Sequence, residues 1–551
     1  MKGILSVIPL GGLEEIGLNM TVFQYNSDMI VVDAGLMFPE EDMLGVDFVI
    51  PDFSYVVENR EKLKGIIITH GHEDHTGALP FLLKEVNVPV YTTPLTAGMI
   101  REKLKESRIK AEILTVRPRE KMNLGEFEIE FIRVTHSIVD GIGLGITTPV
   151  GRIIHTGDFK LDPTPVDGEL MDLHKFTEYG EKGTLLLLSD STNAEKGGFT
   201  FSEKEVRRVF EDIFAKTHGR IIIATFASNI HRIQQAIDVA VMFGRKVFLC
   251  GKSMVANAQI ALELGYLKIP PNTWLKIEEL NKIGDDKVVI ITTGSQGEPM
   301  SVLSKIATGE HKHIKVKKGD TVILSAKMIP GNERSIGRII NHLFKRGAEV
   351  IYEKVSEVHV SGHASKEELK LILNLIKPKY FMPIHGEFRH LMYHAKLAEK
   401  VGIPSENIFI LENGEVLEID EQGTARKNGQ VNAGRIFIDG KLMGDVESMV
   451  LRDRMRLAHD GIVLILLAIE KATKRIITGP EVISRGFIFE DTSQDIIYNV
   501  RDMVTKTIQS MEHDIISDTT LLQTKIRDTL KKYLRDTMGR RPLIMPVVME
   551  I

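Results

Sequence analysis

Five ligand-type side chains fall within six residues: His70, His72, Glu73, Asp74 and His75, with Gly71 between the first two. They follow directly on the apolar run Gly65-Ile66-Ile67-Ile68-Thr69 and precede Thr76-Gly77. Imidazole nitrogens and carboxylate oxygens are ligands suited to zinc. Gly71 allows an unusual backbone in the turn, and Gly77 starts a helix expected over Ala78 to Glu85. A solvated loop holds one or two histidines by chance. This density behind a buried strand implies a metal centre able to polarise a substrate and activate water, which is hydrolytic chemistry.

Such a centre needs ligands from elsewhere in the chain. His136 follows the run Phe131-Ile132-Arg133-Val134. Asp158 stands in His155-Thr156-Gly157-Asp158-Phe159, after Arg152-Ile153-Ile154, and His385 stands in Pro383-Ile384-His385-Gly386-Glu387, after Tyr380-Phe381-Met382. A lone histidine at a strand end is more often structural. Together with His70, His72, Asp74 and His75, these three make seven potential ligands, too many for one tetrahedral ion and suited to two ions sharing a carboxylate.

The elements that must position these residues read as short strands leading into polar turns. Strands are expected at Met29 to Val32, Gly65 to Thr69, Phe127 to Val134, Arg152 to His155 and Thr184 to Ser189. Layered α/β folds keep their sites at such strand ends. From about 200 to 350 the pattern becomes that of a parallel sheet. Strands are expected at Gly219 to Thr225, Lys246 to Cys250 and Lys287 to Thr292, another ends near Ser325 to Ile329, and a helix begins at about Ile230. Two further histidine-bearing strand ends are expected at His359 to His363 and at His385. Short strands follow over 415–440, then a β pair around Ser484 to Phe489 and an amphipathic helical stretch from Asp495 to Lys532.

Composition bounds the rest. The 551 residues are 43% hydrophobic and 26% charged, ordinary for a soluble globular chain of about three or four domains. No apolar run reaches membrane length; the longest, Ile462 to Ile469, suits a buried strand. The start shows no signal-peptide layout. The single cysteine, Cys250, excludes an internal disulfide framework and fits a reducing cytoplasm. The formal net charge of −5 requires any nucleic-acid surface to be locally basic. His311 to Lys318 and Arg452 to Arg456 offer such runs, and each serves equally as a solvated face.

The motifs around His70–His75, His136, Asp158 and His385 resemble the metallo-β-lactamase fold. The resemblance assigns His70, His72 and His136 to one zinc, and Asp74, His75 and His385 to the other, with Asp158 bridging. Asp33, in Val31-Val32-Asp33-Ala34-Gly35, matches a residue that orients the metal loop. Ser189-Asp190-Ser191-Thr192 and His359-Val360-Ser361-Gly362-His363-Ala364-Ser365 resemble the β-CASP nucleases, in which a domain is inserted into the lactamase core. Further stretches are similar to the bacterial ribonuclease J family: Leu10-Gly11-Gly12, Thr225 to Arg232, Thr293 to Pro299, Pro330-Gly331-Asn332, Leu451 to Arg454 and the tail from Arg540 to Glu550. The implied fold is α/β, an αββα sandwich with an inserted parallel-sheet β-CASP domain and a small C-terminal α/β domain. The implied domains are 1–205 and 351–440 for the two parts of the core, 206–350 for the insert and 450–551 for a C-terminal assembly domain.

The resemblance implies a cytoplasmic zinc ribonuclease acting on single-stranded RNA in rRNA processing and mRNA decay. It would cut internally and also degrade 5′→3′ from 5′-monophosphate ends. Catalysis would use His363 as general acid, held by Asp190, with Asp33 supporting the metal loop. Ser228, Asn229 and Ile230, facing His359, Val360, Ser361, Gly362, His363 and Ser365, would take the terminal phosphate. Ser228 and Asn229 equally form an ordinary N-cap. Asp47 and Asp439 match positions that hold a structural calcium, and equally read as surface aspartates. The C-terminal segment implies a homodimer or homotetramer, with a paralogous subunit as a further partner; its elements equally suit an independent core. Competing readings are a non-catalytic RNA-binding paralogue, which predicts lost ligands, and a DNA-directed β-CASP nuclease. A thioesterase or lactamase would leave the insert and His359–His363 unexplained.

Overall fold

The computed structural model describes residues 3–40, 42–280, 282–296, 301–327, 332–353, 355–356, 358–440, 442–443, 448–470, 475–487, 494–511 and 518–551. Most of Thr293–Pro299 is described, but its last three residues, and Pro330 and Gly331, lie outside that set. The chain forms two compact units, one holding residues up to Phe38 and Phe48–Ile436, the other Pro39–Asp47 and Phe437–Ile551.

Two sheets build the core of the first unit. One has eight strands, in spatial order Ala425–Gln430, Glu415–Ile419, Leu5–Gly11, Met20–Tyr25, Asp28–Val32, Leu63–Ile67, Val90–Thr92 and Ile113–Thr115. The other has six, in order Tyr380–Ile384, Leu186–Asp190, Arg152–His155, Ile142–Thr147, Phe127–Arg133 and Lys121–Leu124. The period-2 alternation of strand side chains decides what fills each layer. Phe131, Ile153, Leu186 and Leu188 face inward onto Phe23, Ile30 and Ile67 of the first sheet. Their neighbours Ile132, Ile154 and Leu187 face outward onto Phe176, Leu369, Ile372 and Leu397. The last three strands in chain order, Arg152–His155, Leu186–Asp190 and Tyr380–Ile384, run parallel, with Asp190 paired to Ile384. Asp158, Asp190 and His385 therefore leave the sheet at one edge.

The insert is a five-stranded, all-parallel sheet in the order Lys246–Cys250, Val288–Thr292, Ile221–Ala224, Thr321–Leu324, Glu349–Ile351. Both faces are covered, so its strands read as continuous apolar runs. Ile221 and Ile223 pack beneath the helix Ile230–Met242, whereas Ile222 and Ala224 pack with Leu303 and Ile336 on the opposite face. The expected strand ending at Ser325 to Ile329 ends earlier, at Leu324. His359–His363 is loop, not a strand end. The Val358 carbonyl accepts from Arg232 at 2.9 Å and from Ser325 Oγ at 2.6 Å, which diverts the backbone from sheet pairing.

In the second unit, Ile476–Arg485, Ile462–Ile469 and Leu543–Glu550 form a three-stranded mixed sheet packed by the helices Gln494–Gln509 and Thr519–Met538. The β pair expected around Ser484 to Phe489 begins earlier, at Ile476, because Ile462 already opposes Arg485. Residues 488 and 489 of that expectation lie outside the described residues.

Arg220 and Asp320 make a buried two-bond ion pair in the insert, at 2.9 and 2.6 Å. Asp320→Ala leaves the guanidinium buried without its carboxylate, a loss of about 3–5 kcal/mol. The sole tryptophan, Trp274, bridges to Val247 and so reports on this sheet alone. Its fluorescence midpoint in urea should fall in the variant; an unchanged midpoint would contradict the role given to the pair.

Candidate metal centre

The site begins with a buried acid in an uncommon backbone conformation. Asp33 ends the strand Asp28–Val32 with φ at 63°, in the left-handed region that side chains disfavour. Its carboxylate accepts from the Thr69 amide at 2.8 Å and from Thr69 Oγ1 at 2.9 Å, and takes His75 Nδ1–H at 2.7 Å. It therefore fixes both ends of the 69–75 turn and sets His75 Nε2 3.3 Å from Asp158 Oδ2 and 3.2 Å from Asn19 Nδ2. Gly35 backs the same turn: a Cβ there would lie 1.6 Å from the Asp74 carbonyl, so only glycine fits. Asn19, which no sequence signal singled out, clasps that carbonyl through its side-chain amide at 3.1 Å.

Seven of the expected ligands converge. His70 Nε2 and His136 Nε2 lie 3.0 and 3.2 Å from His72 Nδ1. His136 donates Nδ1–H to the Gly362 carbonyl at 2.7 Å, which turns its Nε2 lone pair toward the other two rings. Beside them, Asp158 Oδ2 stands 3.2 Å from His385 Nε2, 3.3 Å from His75 Nε2, 3.7 Å from His70 Nε2 and 3.8 Å from His136 Nε2. Asp74 Oδ2 lies 3.7 Å from both His75 and His385. The donor atoms sort into His70, His72, His136 and into Asp74, His75, Asp158, His385, each set within 4.8 Å.

The electrostatics ask for cations. Burial drives the pKa of His70 and His136 well below the usual imidazole range and that of His72 down to about 4, so three lone pairs face one another without a proton. Burial also opposes charge on His75 and His385. Asp158 outweighs it, helped by Asp33 and Asp74 at His75, and lifts His385 to about 9 and His75 well above its usual value. Asp158 is held well below the carboxylate range by His385 and His75 against its own burial. Both ring nitrogens of His385 are buried without a directed hydrogen bond. A neutral imidazole triad beside a buried carboxylate and the unsatisfied His385 ring fits divalent metal ions.

His363 and Asp190 form a separate pair. His363 Nδ1 lies 2.8 Å from Asp190 Oδ2 and 3.9 Å from Asp158 Oδ2. These two residues also fall with Asp158 and His385 in a third potential ligand group. The direct bond between them marks an acid–imidazole couple, and His363 is the more exposed partner. Asn193 and Thr200 both donate to the His363 carbonyl, at 2.9 and 2.8 Å, and Asn193 also holds Ser361 Oγ at 2.8 Å. Neither was legible as a site residue.

The phosphate-pocket candidates divide. Asn229 caps the helix Ile230–Met242 by accepting from the Arg232 amide at 3.0 Å, and Ile230 is buried. Ser365 caps the helix Lys366–Ile376 in a reciprocal arrangement with Glu368. Ser228 stands on the turn between strand and helix, and His359, Val360 and Gly362 lie on the loop whose Val358 carbonyl accepts from Arg232. A cavity of about 510 Å³ opens beside His136, lined in part by Lys160, Asp162, Glu203 and His231. In the second unit, Asp47 accepts from the Gly440 amide at 2.8 Å and Asp439 pairs with Arg454 at 2.5 Å.

Asp33→Ala frees the His75 ring and the Thr69 amide together. Metal affinity should fall roughly 10–100-fold, the usual cost of losing a residue that orients a ligand. Competition against a chromogenic chelator measures this, and an unchanged affinity would remove Asp33 from the site.

Comparison with known proteins agrees with this geometry. The ribonuclease J β-CASP domain family matches residues 218–343, and the ribonuclease J C-terminal domain family matches 449–551. The metallo-β-lactamase superfamily matches 15–216, and the Zn-dependent metallo-hydrolase RNA specificity domain matches 347–411. Ribonuclease J 1 of Streptococcus pyogenes is 44% identical, covering 99% of this chain and 97% of that protein. Ribonuclease J of Thermus thermophilus is 44% identical over 99% and 95%, and ribonuclease J2 of Bacillus subtilis 40% over 99% and 98%. A solved structure of a protein of unknown function from Enterococcus faecalis shares the fold at TM-score 0.55 and 18% identity, over 76% of this chain and all of that one. A metallo-β-lactamase sandwich, a β-CASP insert and a C-terminal domain of the matching kind, together with relatives this similar over almost their full length, place the chain in the ribonuclease J family of metal-dependent ribonucleases.

Proposed function

We propose that this ribonuclease carries two zinc ions, cuts single-stranded RNA internally, and degrades it 5′→3′ from 5′-monophosphate ends, in rRNA processing and mRNA decay. His70, His72 and His136 would hold one ion, Asp74, His75 and His385 the other, and Asp158 both. When bound, the ions supply Lewis-acid stabilisation of phosphoryl charge and acidify water. The chain's own residues do the rest. Asp33 fixes His75 and the metal turn. Asp190 accepts from His363 Nδ1 and sets the ring, which leaves Nε2 to carry a proton to the departing 3′ oxygen. The observation that carries this reading is the Asp190–His363 couple at 2.8 Å, beside but separate from the convergent ligands.

Ser228, with the loop His359–His363, would face the terminal phosphate. Asn229, Ile230 and Ser365 would complete that pocket, from positions where Asn229 and Ser365 also cap helices and Ile230 is buried. A structural calcium at Asp47 and Asp439 forms no part of the reading, since Arg454 already meets the Asp439 charge. The second unit would assemble copies into a dimer or tetramer, with or without a paralogous subunit, in the cytoplasm. Among the described residues, no helix is long and apolar enough to cross a membrane.

The deciding experiment offers purified protein 5′-labelled monophosphorylated RNA, matched DNA and a generic thioester. RNA should be cleaved, and His72→Ala should abolish cleavage. His363→Ala should lower kcat by about 10²–10⁴ with little change in KM, the usual worth of a general acid. Thioester turnover without RNA cleavage would overturn the reading. Separately, Ser228→Ala should erase the preference for 5′-monophosphate over 5′-triphosphate RNA; full retention removes Ser228 from end sensing.

A further inference from the structure

The segment between the strand Leu186–Asp190 and the helix Lys204–Lys216 contains no strand or helix, yet hydrogen bonds fix its second half almost residue by residue. On one side it is tied to the chain around and after His363. The Lys196 carbonyl accepts from the Lys366 amide at 2.9 Å, and the Gly198 carbonyl from the Glu367 amide at 3.2 Å. Thr200 Oγ1 donates to the His363 carbonyl at 2.8 Å, and the Thr200 amide donates to Glu368 Oε2 at 2.7 Å. Glu368 is fully buried, and the same oxygen takes the Ser365 amide at 2.7 Å. On the other side the segment is tied to the residues that follow Asp158. Lys160 Nζ donates to the Phe201 carbonyl at 3.2 Å, and the Glu203 amide to Asp162 Oδ2 at 3.0 Å. Glu368 joins the two sides, since its other oxygen accepts from the Leu161 amide at 2.7 Å.

Two side chains are turned out of this framework. Phe199 is 63% exposed and Phe201 65%, and among the described residues no phenylalanine is more exposed. Thr200, between them, turns its hydroxyl inward to His363. Each ring therefore belongs to a residue one Cα–Cα step, about 3.8 Å, from the one bonded to His363. Single exposed apolar side chains are ordinary; a pair of aromatic rings on a fixed loop beside an acid–imidazole couple marks a contact surface. A phenyl ring has no charge and no hydrogen-bonding group. It cannot hold a phosphate or read a base edge. It offers a flat face on which any unpaired base can stack, whatever its identity.

We propose that Phe199 and Phe201 form a stacking platform for unpaired RNA bases that flank the phosphate bound at the metal centre. The inference deepens the functional reading and rests on RNA being the substrate. It adds a contact to bases, separate from every phosphate contact in that reading. The bond from Thr200 to His363 favours substrate over any other occupant, because a strand seated at His363 has its neighbouring nucleotides within reach of the rings. A platform already in place also loses little freedom when the strand binds.

Binding to the metal-loaded, full-length protein tests the platform. A His363→Ala background slows cleavage and keeps the backbone carbonyl that Thr200 holds. Two 5′-phosphorylated probes of equal length carry a 3′ fluorophore: a uridine oligomer, and a ribose–phosphate oligomer without bases. F199A/F201A should weaken the uridine oligomer roughly thirtyfold, the loss of two base stacks at the weak end of their usual worth. The baseless oligomer should change less than about twofold, and the slope of log affinity on log salt should stay as it is, because no phosphate contact is lost. F199W/F201W should restore the parent affinity. With His363 in place, F199A/F201A should raise KM on RNA and keep kcat within about twofold, the pattern of a contact made equally before and during reaction. Thermal midpoints should agree within about 2 °C, as for surface substitutions. A fall of several degrees in F199A/F201A makes the rings packing elements and overturns the platform. Equal losses on both oligomers also overturn it, because the effect then lies on the backbone path. If F199A/F201A binds the uridine oligomer as the parent does, the rings serve another partner, such as an apolar peptide; the platform fails and the functional reading stands. A wild type that neither binds nor cleaves RNA overturns the functional reading, and the platform with it.

Discussion

One oxygen of Asp158, itself buried, stands 3.2–3.8 Å from four imidazole nitrogens. A buried carboxylate is costly unless positive charge meets it. The surrounding structure is arranged so that positive charge can. Strand ends from both sheets converge on this oxygen because the inner faces of the two sheets are packed into one apolar layer. Asp33 holds the metal turn against the edge of one sheet. The parallel pairing of Leu186–Asp190 with Tyr380–Ile384 brings His385 and Asp190 to the edge of the other. The ligand set is thus a property of the sandwich as a whole, although most of its members sit in one short turn.

The sequence was most informative where a feature is local or repeats with a strict period. The turn His70–His75 declares itself by ligand density. Runs rich in Ile and Phe that lead into polar residues placed Phe127–Arg133 and Arg152–His155 to within a residue. The continuous runs of the insert announced a sheet buried on both faces. His136, Asp158 and His385 were legible because each follows such a run directly. What stayed hidden depends on contacts between distant segments. Asn19 looks like any polar residue before a strand, yet it holds the Asp74 carbonyl. Asn193 and Thr200 act through the backbone of His363, and backbone partners leave no pattern in side-chain types. His359–His363 was read as a strand end because nothing in its neighbours reveals that Arg232, from a separate helix, captures the Val358 carbonyl.

The order of the ligands along the chain has a consequence for biosynthesis. Asp158 and Asp190 are made before the insert, and His385 after it. The strand that carries His385 occupies the end of its sheet, against Leu186–Asp190. During translation, domains generally fold as units in the order in which they emerge. The five-stranded insert draws only on residues between the two halves of the sandwich, so it has the sequence it needs before Tyr380 leaves the ribosome. Until then one candidate ligand, and the strand that closes its side of the sheet, are missing. A chain that has not yet reached Tyr380 therefore holds the candidate centre only in part, and the centre can close only when the last strand of the sheet has emerged.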